Sequence, residues 1–266
     1  MNTIYHFSGA GNDFVVIDGR EGDVSAFREV PRIEALCKEH KTDGLMILGS
    51  GDASVDFTME FYNPDGSGGM MCGNGGRCIV AFADYLGIRP ASGDVFLFRA
   101  PDGLHTGEIL ARPEEGLWEV RIKMIDVQGI TPMLGGYFLN TGTRHFVKFV
   151  EDVEKVDIDT EGKALRWNEA FAPVGTNVNF VHVAPDGLHV RTFEKGVEGE
   201  TLACGTGLTA CALVAHHAGV PTATPGAYRL RARQDWLSVN FTPGADEKFT
   251  DVYLTGPARL VRIYGV

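Results

Sequence analysis

The chain has 266 residues, 44% of them hydrophobic and 22% charged, with a formal net charge of −11. A chain of this length and composition is globular and long enough for one large domain or two of about 130 residues. The acidic balance excludes nucleic acid and anionic membrane surfaces as partners, because both require clustered Lys and Arg.

Strands are expected along most of the chain. NDFVVIDG (12–19), LMILGS (45–50), SVDFTMEFYN (54–63), DVFLFRA (94–100), HTGEILAR (105–112) and LWEVRIKMIDV (117–127) are rich in β-branched and aromatic residues and bounded by Gly, Pro, Asp or Asn. So are RHFVKFV (144–150), NVNFVHV (177–183), LHVRTFE (188–194), LSVNFTP (237–243) and DVYLTGPARLVRIYG (251–265). Most alternate apolar and polar residues, which predicts half-buried antiparallel sheets. A surface helix is expected over 30–40, with Ile33, Leu36 and Cys37 on its apolar face.

Two segments differ in kind. MMCGNGGRCIVAFADYLG (70–87) and ACGTGLTACALVAHHAG (203–219) both place Cys-Gly-polar-Gly before an apolar run that ends in Gly. The offset between Cys72 and Cys204 also relates Gly73 to Gly205, Gly75 to Gly207, Ala83 to Ala215 and Gly87 to Gly219. Apolar residues on nearly all sides of each run predict a buried helix, and Gly87 and Gly219 are placed as stops. Each half of the chain is therefore expected to wrap strands around one central helix, with a cysteine where the helix begins.

A helix N-terminus presents unsatisfied N–H groups and partial positive charge, which bind an anion and favour a thiolate over a thiol of ordinary pKa about 8.5. The glycines leave backbone N–H groups uncovered, suited to gripping a carboxylate. A single nucleophilic cysteine would need only one such motif and a basic partner. Two motifs predict two facing thiols, one removing a proton from a carbon and the other returning one to the opposite face. Cys78 and Cys211, on the apolar runs, are expected in the core. His216 and His217 are expected to cap carbonyls or meet solvent. Five cysteines without a secretion signal give no disulfide framework, the Cys72–Cys78 spacing does not match a structural zinc site, and no dinucleotide loop is complete.

FSGAGNDFVVIDG (7–19), FYNPDGSGGMMCGNGGRC (61–78) and TFEKGVEGETLACGTGLTA (192–210) resemble the diaminopimelate epimerase family of cofactor-independent amino-acid racemases, and the resemblance extends to TGPARLVRIYG (255–265). It implies an α+β fold of two pseudo-symmetric halves, each a mostly antiparallel barrel-like sheet around a central helix, with the active site in the cleft between them. The first half is expected over 1–121 with 253–266 and the second over 122–252. The resemblance implies interconversion of LL- and meso-diaminopimelate, feeding lysine and peptidoglycan synthesis, without pyridoxal phosphate or metal. Cys72 and Cys204 are similar to the acid/base pair; Gly73, Asn74, Gly205 and Thr206 match the donors to the reacting carboxylate. Asn12, Asn63, Asn177, His145, Glu194 and Lys195 fall at the family's other substrate-binding positions.

Two departures bear on recognition. The family's Glu-Arg-Gly reads Glu194-Lys195-Gly196 here, and an ammonium keeps the charge without the flat fork of a guanidinium. Arg144, in place of a proline, is the other candidate source of that fork. The family's glycine-rich loop reads HKTDGL (40–45), keeping Asp43 and Gly44. A racemase of another polar amino acid and a silent binding protein on the same scaffold stay open as alternatives. The N-terminus lacks a signal sequence and no apolar stretch approaches a membrane span, so a cytoplasmic protein is expected. Exposed strand edges would permit a homodimer without requiring one.

Overall fold

The computed structural model describes residues 3–69 and 71–265; Met70, the first residue of the first repeat, lies outside them. The chain forms two compact units, 1–122 with 256–266, and 123–255.

The first unit contains β1 (Ile4–Gly9), β2 (Asn12–Asp18), α1 (Val30–His40), β3 (Gly44–Ser50), β4 (Phe57–Tyr62), α2 (Gly73–Tyr85), β5 (Val95–Ala100), β6 (Gly103–Glu114) and β7 (Leu117–Lys123). Each strand pairs with the next, and the second part of the last strand of the chain, β17 (Lys248–Tyr264), pairs with both β7 and β1. The ring is thereby closed and no edge is left. α2 fills it: Ile79, Val80, Ala81 and Phe82 are fully buried, and the Phe82 ring lies 4.8 Å from Tyr5 and 5.6 Å from Phe7. α1 covers the opposite face of the sheet, where Ile33, Leu36 and Cys37 pack with Ile4, Val15, Ile17, Leu45 and Ile47.

The second unit contains β8 (Val127–Gln128), β9 (Thr131–Met133), β10 (Gly136–Asn140), β11 (Arg144–Phe149), α3 (Lys163–Arg166) among short helical turns, β12 (Asn177–Ala184), β13 (Gly187–Glu194), β14 (Gly199–Thr201), α4 (Gly205–His217), β15 (Ala227–Arg231), β16 (Trp236–Pro243) and the first part of β17. Its sheet runs β9-β10-β11-β12-β13-β15-β16-β17-β8. From β10 to β16 this repeats the pattern of pairings from β1 to β6. α4 occupies the place of α2, with every residue from Gly207 to Ala215 buried.

Two features differ from the strands read in the sequence. Four pairings are parallel, β2–β3, β4–β5, β11–β12 and β13–β15, because each is joined by a helical crossover, which returns the chain in the same direction. β1, β9, β10, β14 and β15, of three to six residues, escaped the sequence reading. Both central helices end as expected. Gly87 (φ +78°) and Gly219 (φ +72°) adopt the left-handed conformation, and the next residues, Ile88 and Val220, donate back to Ala83 O and Ala215 O at 3.0 and 2.9 Å.

Candidate active site

Cys72 is the N-cap of α2, in extended conformation (φ −99°, ψ 151°), and its exposed Sγ accepts the Gly75 N–H at 3.2 Å. A thiol normally caps a helix poorly; a sulfur bearing negative charge is the better acceptor for this N–H, so the geometry favours thiolate chemistry.

Behind it runs a polar chain that the sequence reading saw only in part. Arg77 is fully buried and donates to Gly73 O at 3.2 Å, Asn74 Oδ1 at 2.9 Å and Pro257 O at 3.3 Å. The Asn74 amide nitrogen donates to Asn12 Oδ1, and Asn12 Nδ2 donates to Asp43 Oδ2 at 3.2 Å. The chain has a donor-only end, Arg77, and an acceptor-only end, Asp43, so both amides between them are held in one orientation. Asp43 also accepts the Asp13 N–H at 2.9 Å, which ties the HKTDGL loop to β2. Beside it, burial works to raise the Asp13 carboxyl, but hydrogen bonds from His6 and Ser8 leave it below the ordinary value. Asn63 stands apart from this chain, in the turn after β4, where its Nδ2 donates to Ser67 Oγ at 3.0 Å.

Cys204 stands at the N-cap position of α4 in the second unit but, unlike Cys72, without a side-chain capping bond; it is buried, with Sγ 3.5 Å from Thr206 Oγ1. Thr206 Oγ1 lies 2.9 Å from His145 Nε2 and 3.1 Å from Thr143 Oγ1. His145 is fully buried, and burial pushes its pKa down to about 3. Asn177 bridges two loops, its Oδ1 accepting the Lys195 N–H at 2.8 Å and its Nδ2 donating to Arg144 O at 2.9 Å. Glu194 Oε2 accepts from Thr201 Oγ1 at 2.9 Å, on the short strand leading into Cys204. Gly205 lies in the first turn of α4, where its carbonyl accepts from Thr209 Oγ1 at 3.0 Å.

The structure thus joins Asn12, Cys72, Gly73 and Asn74 in one unit, and His145, Asn177, Lys195, Cys204 and Thr206 in the other. Lys195 enters this network through its backbone and is exposed. Arg144 does not supply a fork: its guanidinium lies over the Phe138 ring at 5.1 Å and donates to Phe171 O at 3.4 Å. Cys78 and Cys211 are fully buried, and burial pushes both thiols up. His217 lies 2.9 Å from Glu247 and His216 packs edge-on to Phe241 and Phe249; both are half-buried in the last turn of α4 and so partly meet solvent, as expected. Arg77, Thr143 and Asn179 were missed. The signal for Asn179 was its place two residues after Asn177, hence on the same strand face; for Arg77 it was a charge at the entrance of an apolar helix.

Two helix-filled barrels of matching topology, each with a cysteine at the N-cap position of its helix, define a fold shared with known structures. A phenazine biosynthesis protein of the PhzF family from Bacillus anthracis superposes with a TM-score of 0.75 at 11% identity, covering 100% of this chain and 98% of that one. A hydroxyproline epimerase from Agrobacterium vitis superposes with a TM-score of 0.68 at 15% identity, covering 100% and 90%. The chain belongs to the diaminopimelate epimerase family, whose model matches residues 4–105 and 137–261. Relatives named diaminopimelate epimerase include those of Chlorobaculum tepidum, 40% identical over 96% of this chain and 97% of that protein, and Aquifex aeolicus, 40% identical over 95% and 93%.

Proposed function

We propose that this protein is an isomerase that interconverts LL- and meso-diaminopimelate by α-proton transfer, with Cys72 and Cys204 as the acid/base pair. The observation that carries the reading is the repetition: one cysteine at the N-cap position of each buried helix, followed in each case by a glycine-rich first turn, whose N–H groups suit a carboxylate. One thiolate removes the α-proton while the other thiol delivers a proton to the opposite face, so inversion needs both sulfurs on one substrate. Negative charge developing on the reacting carboxylate is met by donors from Gly73, Asn74, Gly205 and Thr206. Asn12, Asn63, Asn177, Glu194 and Lys195 complete the substrate contacts, while His145, fully buried, supports Thr206 from behind.

Among the described residues no helix is long and apolar enough to cross a membrane. The reading sets the reaction in the cytoplasm, on a small-molecule substrate.

Proton NMR of LL-diaminopimelate with the reduced protein in deuterium oxide tests this. Deuterium at one α-carbon with appearance of the meso isomer is expected, and each of Cys72→Ala and Cys204→Ala should abolish epimerisation. No exchange by the intact protein would overturn the reading. Lys195 in place of the family's arginine favours a second one, a racemase of another polar amino acid, and competition between that amino acid and diaminopimelate separates the two.

A further inference from the structure

Asn179 is fully buried on β12, and three hydrogen bonds fix the direction of its amide. Oδ1 accepts from Thr192 Oγ1 at 3.0 Å; Nδ2 donates to Phe146 O at 3.1 Å and lies 3.1 Å from His145 Nδ1. Turning the amide over would set its oxygen against the Phe146 carbonyl, two acceptors facing each other without a proton. An N–H is therefore aimed at Nδ1, which must accept it. The proton of the neutral imidazole then sits on Nε2.

We propose that Asn179 is a positioning residue that holds His145 as the Nε2–H tautomer, making the ring a donor toward the Thr143 and Thr206 hydroxyls. Nε2 is 2.9 Å from each of those oxygens, and Asn177 Nδ2 approaches Thr143 Oγ1 at 3.4 Å. Donors thus enter the hydroxyl pair from two sides, and no acceptor nitrogen faces it. The two hydroxyls lie 3.1 Å apart, so one donates to the other; with Thr143 donating to Thr206, the Thr206 proton is left to point at Cys204 Sγ, 3.5 Å from Thr206 Oγ1. A hydroxyl proton aimed at the sulfur stabilises its anionic form, so His145 acts on Cys204 as a relayed donor and not as its base. The low proton affinity that burial confers on His145 keeps it neutral throughout.

The same arrangement accounts for the second glycine of Cys-Gly-Thr-Gly. A Cβ at Gly207 would stand 2.4 Å from Asn179 Oδ1. α4 can begin where it does only because that position has no side chain.

The link to Cys204 rests on the proposed function; the tautomer does not, and the test separates them. Protein labelled with ¹⁵N-histidine is examined at neutral pH by long-range ¹H–¹⁵N correlation, the His145 signals being assigned with His145→Gln. The expected spectrum has an unprotonated Nδ1 and a protonated Nε2, and Asn179→Asp should protonate Nδ1. A protonated Nδ1 in the unaltered protein would overturn the proposal whether or not diaminopimelate is turned over. So would an Asn179→Asp variant that folds with the original signature. If that variant does not fold, the spectrum of the unaltered protein still decides. Kinetically, Asn179→Asp should lower kcat by about 10- to 100-fold with KM for diaminopimelate nearly unchanged, and an unchanged kcat would sever the link to Cys204.

Discussion

Gly207 shows how much one missing methyl group controls. The first turn of α4 packs onto Asn179, and Gly207→Ala must displace either the amide or the helix start. We expect at least about a tenfold loss in kcat/KM with a smaller loss of stability, checked by steady-state kinetics alongside thermal unfolding. Lys195 raises the converse question, since its ammonium cannot grip a carboxylate in two places. If the distal carboxylate binds there, Lys195→Arg should lower KM for diaminopimelate; an unchanged KM would move that role to another residue. Arg144 is a poor substitute, because its guanidinium is committed to Phe138 and Phe171.

At the scale of elements, the two central helices are held at both ends. The starts place the two cysteines, and the end of α2 is pinned by Asp84, whose carboxylate accepts from Trp118 Nε1 at 2.8 Å and from both arms of Arg112 at 2.8 and 2.6 Å. Arg112 is half exposed and contributes little; the buried indole N–H decides the cost of losing the carboxylate. Asp84→Ala should therefore destabilise the protein by about 1–3 kcal/mol, read from chemical denaturation. Burial of Asp84 opposes ionisation, but bonds from Arg112 and Trp118 outweigh it and hold the carboxyl below its ordinary value. A carboxyl depressed in the folded state stabilises above its unfolded pKa of about 3.9, and that contribution is lost as pH falls through the folded value. The gap in Tm between the unaltered protein and Asp84→Ala should accordingly be constant from pH 8 to about 5 and narrow in stronger acid. A gap that widens on acidification would contradict this account.

For the whole molecule, β17 is the element on which closure depends. Its residues 248–255 belong to the second unit, while 256–264 complete the ring of the first by pairing with β7 and β1. A chain ending at Thr255 should leave β1 and β7 as open edges, a state that sheets tolerate poorly. Hydrogen exchange should then show lost amide protection in β1 and β7, with β15 and β16 still protected. Undiminished protection in β1 would mean that the ring does not need its last strand.

The repeat, its cysteine caps and its glycine stops were legible because they are local: a helix's apolar run, its N-cap and its left-handed end are all decided within about eighteen residues of chain. Family membership followed from the same stretches, and with it the architecture. Short strands such as β1 and β15 were not legible from their own pattern, since each is fixed between an adjacent strand and one far along the chain, β17 for β1 and β13 for β15. Nor were the polar chains behind each cysteine. Arg77 reaches Pro257 across 180 positions, and His145, Asn179 and Thr206 come from two strands and a helix. The chain by itself determined where thiol chemistry is offered. The orientation of each amide and imidazole around it was decided by tertiary structure, because hydrogen-bond direction depends on which donors and acceptors the fold sets opposite one another.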